Sequence, residues 1–545
     1  MGNTKRWTPL YPEGIAENIA VEHANLPQAW KARVERDPDN TALIYFDRKI
    51  SAAEADRKSD ALAVALAHRG VRKGDCVGLK LQNIPQFPLA LLALWKLGAS
   101  ALLINPMYRQ REFRRLVDDS GAKGVIVEDT LFEETRTFCQ DSAVEWILTT
   151  SSLDFQTRND PRVFSSNERL SVDSDGDVVE LIEQFDGSAP EPVDLSHEDV
   201  AVMVYTSGTT GPAKGAPNTH GNLLHIAATN SAWLSMTPDD VTFAAAPLFH
   251  ITGVGAVNTT ALLHGGALVF ANRPKPDVLA EAFCEHGAHY MVSSITIYNA
   301  LLQSDWVKRE HFTSAKALLS GGAPTPPATV DAFADKFGIV IGGAYGMTET
   351  TSAIIASPPG HRAPVHSASG TLSVGIPLPN VDAAIIGLDG NELPPGEEGE
   401  LAVAGPQVIS GYWNNPEATE KTIVDGMLRT GDSAIMDEDG WIYLVDRLKD
   451  QINASGFKVW PREVEDVLYE HPAVYEAAVI GKPDEYRGET VVAFVSLRPN
   501  TTAEPDELKA FCSDRLAAFK RPSEITFVDE LPKTETGKIQ RRALR

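Results

Sequence analysis

The chain has 545 residues, 43% apolar and 23% charged, an ordinary soluble composition but too long for one hydrophobic core, so two or more domains are expected. Its net charge of −25 argues against nucleic acid or an anionic membrane as the main partner, because both reward basic surfaces. Four well-separated cysteines without CxxC spacing predict free thiols and no zinc site.

At the start, Met1 to Arg6 hold no apolar core of a signal peptide, and Arg6 stands where a myristoylation signal needs Ser or Thr. No apolar run is long enough to span a bilayer, so a cytoplasmic location with no transmembrane segment is expected. Helical and strand signals then alternate up to about residue 150. Ala52 to Arg69 is amphipathic, Asp75 to Leu81 reads as a strand, Phe87 to Gly98 as an apolar helix, Arg111 to Ser120 as a charged helix, and Gly124 to Val127 as a strand. Such alternation predicts α/β architecture, with helices covering a parallel sheet. Residues 158–199, rich in Asp, Glu, Ser and Pro, read as a surface connection.

Ala201 to Tyr205 is a short apolar run, a buried strand, and it ends abruptly in Thr206-Ser-Gly-Thr-Thr-Gly-Pro-Ala-Lys-Gly215. Glycines let backbone approach an anion closely, hydroxyls add donors, and Lys214 adds a mobile positive charge. The stretch suits a loop wrapped around a polyphosphate. It is not a Walker A loop, because Ala213 and Gly215 flank Lys214 and break that spacing. A Gly/Ser/Thr surface turn with a solvated lysine is the plain alternative. Val241 to Asn272, uncharged and interrupted by Pro247, His250 and glycines, reads as buried helices lining a pocket. The β/α pattern continues to about Ser357. Beyond Ser369 short strands and tight turns follow, with Asp389-Gly390 and Asp439-Gly440 as hairpin signals. From Gln451 a new unit is expected: a helix over Pro461 to His471, strands near Tyr475 to Ile480 and Val491 to Leu497, a helix over Pro505 to Phe519, a strand near Ile525 to Val528, and a basic tail.

The glycine-rich stretch resembles the phosphate loop of the adenylate-forming enzymes: acyl- and aryl-CoA synthetases, firefly-type luciferases and peptide-synthetase adenylation domains. Four further segments match that family in order: Gly343-Ala-Tyr-Gly-Met-Thr-Glu349, Leu428-Arg-Thr-Gly-Asp432, Asp446-Arg-Leu-Lys-Asp450 leading into Ser455-Gly-Phe-Lys-Val459, and Pro532-Lys-Thr-Glu-Thr-Gly-Lys538. The resemblance runs from about Asn25 to Arg545. It implies a large N-terminal domain, 1–446, of parallel β/α subdomains plus a small β-rich one, a hinge at 447–450, and a small mobile α+β C-terminal domain over 451–545.

It also implies a reaction: carboxylate, ATP and coenzyme A give acyl-CoA, AMP and pyrophosphate through an acyl-adenylate. Aligning two anions makes charge neutralisation the main demand. By resemblance, Thr206, Ser207, Gly208, Thr209, Thr210 and Lys214 hold the β- and γ-phosphates, Thr348 contacts the α-phosphate, and Glu349 holds Mg²⁺. Gly321, Gly322 and Ala323 with Gly343, Ala344, Tyr345 and Gly346 offer a slot for adenine. Asp432 accepts from the ribose, and Arg447 makes a ribose or phosphate contact or an ordinary salt bridge. Lys538 is the expected catalytic group of adenylation, with a generic basic tail as the alternative. Lys449 is the hinge residue, and Ser455, Gly456 and Phe457 meet the pantetheine arm after a domain rotation.

Substrate class is narrowed by departures. His250 stands where amino-acid-activating domains carry an acid, and Asn453 where luciferases carry an oxidation lysine. His250 either gates the acyl channel or is a core histidine. Gly253, Gly255, Ala256, Ser352 and Ala353 either leave room for the acyl group or serve packing. A medium- or long-chain fatty acid is the first expectation, an aryl- or steroid-side-chain acid the second. A P-loop kinase and a non-catalytic nucleotide-binding protein are the rival classes. The sequence sets no oligomeric state, a homodimer included.

Overall fold

The computed structural model describes residues 5–545 apart from 207–212, Gly265, Pro274, Pro324, Ser369, 448–449, 455–456, 485–487, Ala517 and 535–538, and without the side chains of 446–447, 453–454, 457–458 and 488. Two large sheets dominate the first 380 residues. One has six strands in the spatial order Trp146–Thr150, Gly124–Glu128, Cys76–Lys80, Ser100–Leu103, Val200–Thr206, Lys214–Thr219. All its pairs are parallel except the last, where Lys214–Thr219 folds back antiparallel on Val200–Thr206.

The other sheet has nine strands. Its parallel centre runs Ile341–Met347, Ala317–Ser320, Tyr290–Ser293, Val241–Phe243, Ala267–Phe270, Thr41–Tyr45. Antiparallel strands close both edges: Arg48–Ser51 at one, Ser352–Ala356 and Ile376–Pro377 at the other. Helices cover the sheets. Ala52–His68 starts on Ser51, whose hydroxyl accepts from the Glu54 amide at 3.2 Å, and Gln86–Lys96 is buried along almost its whole length. One continuous apolar core joins the two sheets from Leu26 to Leu372.

The expected α/β alternation up to residue 150 is found, with small shifts at element ends. Two regions differ from expectation. Val241 to Asn272 is not a pair of helices but strand, helix, strand: Val241–Phe243 and Ala267–Phe270 lie side by side inside the nine-stranded sheet. Parallel strands buried on both faces show neither alternation nor charge, so their sequence cannot be told from buried helix. The 158–199 connection carries a helix of its own, Val178–Gln184, capped by Asp177, whose carboxylate accepts from the amides of Val179 and Glu180.

Beyond these sheets lies a five-stranded antiparallel unit, with Glu398–Ala404 and Met427–Met436 at its centre and Ile442–Arg447 on the outer side of the latter. Gly440 makes the tight turn between them at φ +94°, as the Asp439-Gly440 pair predicts. The last unit is a mixed sheet, Phe457–Val459, Ile452–Ala454, Gly488–Leu497, Val474–Asp484 and Glu524–Phe527, packed on helices Pro461–Tyr469 and Pro505–Ser513 around its own core. The second of these helices is shorter than expected. The Leu516 amide turns back to Cys512 O at 2.8 Å, and a single 3₁₀ turn follows over Ala518–Lys520. Among the described residues no helix is long and apolar enough to cross a membrane.

Candidate functional site: a cleft with two tyrosine-held carboxylates

The glycine-rich loop spans the tip of an antiparallel hairpin. Thr206 and Lys214 are directly opposed residues at the open ends of the two strands. The hairpin is tied down next to the loop by Tyr205, whose hydroxyl donates to Asp119 Oδ2 at 2.6 Å. Lys214 makes no ion pair among the described residues. Its ammonium lies 4.3 Å from the centroid of the Tyr412 ring. Ser207, Gly208, Thr209 and Thr210 lie outside the described residues.

Glu349 belongs to a one-turn 3₁₀ helix, Thr348–Thr350, at the end of strand Ile341–Met347. This turn is pinned by Thr350, whose hydroxyl accepts from the Met347 amide at 2.8 Å and donates to Ser352 O at 2.7 Å. Thr351 follows at φ +57° and Ser352 at φ +124°, consecutive positive-φ residues without a glycine. Such backbone costs about 1–3 kcal/mol per residue and gathers at functional sites. Glu349 is buried, and Tyr412 donates its hydroxyl to Glu349 Oε1 at 2.6 Å. Burial and that neighbouring carboxylate push the Tyr412 phenol well above its ordinary pKa. Glu349 has no cationic partner among the described residues. Buried charges are paired or bind metal, so this carboxylate fits a hard divalent cation held through oxygen.

The second carboxylate, Asp432, is also buried, on strand Met427–Met436. Tyr345 donates its hydroxyl to Asp432 Oδ2 at 2.7 Å. Tyr345 lies on strand Ile341–Met347, which leads directly into the turn that carries Glu349, so one strand and its turn support both carboxylates. Arg447 is the residue directly opposite Asp432 on the neighbouring strand. Gly321 and Gly322 leave the adjacent parallel strand, where Ser320 is opposite Gly343. A Cβ on Gly321 would lie 3.0 Å from Ala344 O, and Gly322, at φ +77°, faces open space. This brings Gly321 to Ala323 and Gly343 to Gly346 side by side at the carboxyl ends of parallel strands, where open α/β sheets bind ligands. Tyr345 itself is mostly covered, leaving little of its ring open for stacking.

His250 is half-buried in the turn after Pro247. Its Nδ1 accepts from the Thr252 amide at 3.3 Å. Gly253–Thr259 beyond it is a π-helix, buried at every residue. A Cβ on Gly253 would lie 2.1 Å from Pro247 O, and one on Gly255 2.5 Å from Thr351 O. These two glycines therefore serve close backbone packing rather than space for an acyl chain.

Lys449, Ser455, Gly456 and Lys538 lie outside the described residues, and Phe457 enters only through its backbone, in strand Phe457–Val459. Tyr412 is the residue that the sequence does not single out. Its Gly411-Tyr-Trp413 setting carries no local signal, and its partner Glu349 is 63 positions away.

The sequence matches the family described as AMP-binding enzyme over residues 30–413, and the AMP-binding enzyme C-terminal domain over residues 463–538. A long-chain-fatty-acid–CoA ligase of Bacillus subtilis (strain 168) is 34% identical over 556 aligned positions, covering 100% of this chain and 98% of that one. Among solved structures, the anthranilate CoA ligase AuaEII in complex with anthranoyl-AMP superposes with a TM-score of 0.85 at 27% identity, covering 96% of this chain and 97% of that one. O-succinylbenzoate coenzyme A synthetase of Bacillus subtilis, in complex with ATP and magnesium ion, gives 0.78 at 30% identity, covering 96% and 99%. The chain belongs to the AMP-binding enzymes and is an enzyme of the adenylate-forming acyl-CoA ligase superfamily.

Proposed function

We propose that the protein joins a medium- or long-chain fatty acid to coenzyme A through an acyl-adenylate. In the first step a carboxylate oxygen attacks the α-phosphorus of ATP, the bond from that phosphorus to the α,β-bridging oxygen breaks, and pyrophosphate leaves. In the second the thiol of coenzyme A attacks the acyl carbon, AMP leaves, and the thiol proton is lost. The observation that carries the reaction is the convergence on Tyr412 of Lys214 and the buried Glu349, neither of which has an ion pair among the described residues, at one end of a site whose other end holds Asp432. The acid is inferred from end-to-end likeness to a long-chain-fatty-acid–CoA ligase.

In this reading Lys214 and the hydroxyls of Thr206 to Thr210 hold the departing phosphates, and Thr348 orients the α-phosphate. Glu349 would hold Mg²⁺, which supplies charge neutralisation on the phosphate oxygens. Asp432 accepts from the ribose hydroxyls, with Arg447 beside it. Gly322, Ala323, Gly343, Ala344 and Gly346 form the adenine slot, and His250 borders the acyl entrance. Lys538 neutralises the charge that builds at phosphorus, and Lys449 is the pivot that exchanges it for Ser455, Gly456 and Phe457 before thioester formation. The domain limits 1–446, 447–450 and 451–545 belong to the same proposal.

An aromatic acid is the second reading. It is favoured by the structural likeness to the anthranilate ligase. The test is exchange of labelled pyrophosphate into ATP with a panel of acids from hexanoate to palmitate plus benzoates and cinnamates, followed by thioester formation on adding coenzyme A. Exchange driven by palmitate or dodecanoate supports the first reading, and exchange driven only by aromatic acids supports the second. Release of ADP without exchange for any acid would discard both.

A further inference from the structure

Segment Ile409 to Trp413 is a strap between the two motifs that the reaction must bring together. At one end the Ile409 amide donates to Glu349 O at 2.9 Å, and at the other the Trp413 amide donates to Gly215 O at 2.8 Å. Between them Tyr412 is held by its own amide on Thr419 Oγ1 at 2.9 Å. A Cβ on Gly411 would come within 2.8 Å of Thr419 Cγ2, so the strap lies tight against helix Pro416–Thr422. Trp413 anchors it further, its indole N–H donating to Asp119 O at 3.2 Å. The tyrosine side chain thus has a fixed place, with the Lys214 ammonium over its ring and the Glu349 carboxylate on its hydroxyl.

An ammonium and a buried carboxylate this near to a common neighbour attract strongly, because the surroundings screen them poorly. Among the described residues they form no ion pair within 4.0 Å. A tyrosine is suited to stand between them: its ring face is negative and takes a cation, while its hydroxyl takes an anion. Each charge is thereby partly satisfied by a neutral group that it can leave at small cost. A direct Lys214–Glu349 pair would cancel both charges and would have to be broken before triphosphate and metal could enter.

We propose that Tyr412 is a spacer that keeps Lys214 and Glu349 from pairing in the nucleotide-free enzyme and so holds both ready for magnesium-bound ATP. The inference rests on the reading above, in which Lys214 takes the phosphates and Glu349 the cation, and it makes Tyr412 a positioning residue. Tyr412→Leu removes both ring and hydroxyl, while Tyr412→Phe keeps the ring and loses only the bond to Glu349.

The test joins a structure with a titration. In crystals of nucleotide-free Tyr412→Leu, Lys214 Nζ is expected within ion-pair distance of a Glu349 oxygen. By calorimetry, magnesium-ATP should bind that variant about 10- to 100-fold more weakly. The KM for magnesium-ATP should rise by a similar factor, with a much smaller change in kcat. Tyr412→Phe should keep the two charges apart and lose only a few-fold in affinity, about the worth of one hydrogen bond. Lys214 and Glu349 still apart in Tyr412→Leu, or undiminished magnesium-ATP affinity, would overturn the spacer. Should Tyr412→Leu fail to fold, Tyr412→Phe decides: an ion pair formed with the ring still present, or a fall in kcat alone, overturns the proposal. Failure of the underlying reading is separable, since it shows as nucleotide binding by Glu349→Gln with the same magnesium dependence as the unmodified enzyme, whatever distance the crystals report.

Discussion

The two carboxylates of the cleft are held by the same device and set in different surroundings. Glu349 and Asp432 are both buried and each accepts from a tyrosine hydroxyl, at 2.6 and 2.7 Å. Behind Tyr412 lies a lysine with no ion pair among the described residues, while Tyr345 is built into the central strand of the site, and the residue opposite Asp432 on the next strand is Arg447. The Glu349 end is assembled from three distant segments, 214–215, 349 and 409–413, joined by side chains and loop amides. The Asp432 end is a strand-to-strand contact inside regular β structure. A ligand-exchanging end and a fixed end follow from that difference: charge can be redistributed around Glu349, whereas Asp432 offers a preset acceptor.

Breaking the shared support should have the largest effect. Gly346 lies between Tyr345 and Glu349, and a Cβ there would come 1.9 Å from Ser352 O, a backbone atom that cannot move aside without its strand. Gly346→Ala is therefore expected to displace both ends together. Loss of pyrophosphate exchange by more than about 10²-fold is expected, as for a misplaced reacting group, with a lowered Tm. An exchange rate near that of the unmodified enzyme would show that the two ends are not supported in common.

Charge removal at each end separates them. Glu349→Gln keeps an oxygen for the Tyr412 hydroxyl but removes the charge, so exchange should fall by about 10²–10³-fold, the typical cost of one preorganised charged group. Raising the magnesium concentration should recover part of the loss. Asp432→Asn should weaken nucleotide binding by about 10- to 100-fold, matching the ~1.5–3 kcal/mol of a hydrogen bond to a charged acceptor. Its magnesium dependence should be that of the unmodified enzyme. Equal magnesium dependence in the two variants would erase the distinction between the ends.

Which parts of this arrangement the sequence discloses follows the same division. The strand Val200–Thr206 with its glycine-rich exit, the strand that leads into the Glu349 turn and the Asp439-Gly440 hairpin beyond Asp432 are legible because apolar runs and turn residues are local signals. The resemblance to a known family then supplies expectations for residue roles that no local pattern could raise. The Tyr412–Glu349 contact is silent, since a tyrosine in a loop carries no periodicity and the bond spans 63 positions. The π-helix at Gly253–Thr259 is silent too: glycines there suggest open space, and only the close approaches to Pro247 O and Thr351 O show that backbone fills it.

The smallest effect is the sharpest probe of the fixed end. Tyr345→Phe removes the hydroxyl that Asp432 accepts and leaves the ring packed in its core. If Asp432 is a preset acceptor held by its strand, losing one neutral donor should cost about 0.5–1.5 kcal/mol, a two- to tenfold rise in KM for ATP. The magnesium dependence and kcat should stay as they were, because the strand pairing that orients Asp432 is untouched. The matching change at the other end, Tyr412→Phe, frees a carboxylate that stands near the Lys214 ammonium and should register in the magnesium titration. Two hydroxyl deletions of equal chemistry would then be read out by different ligands, nucleotide for one and metal for the other, which is the result a fixed end and an exchanging end require.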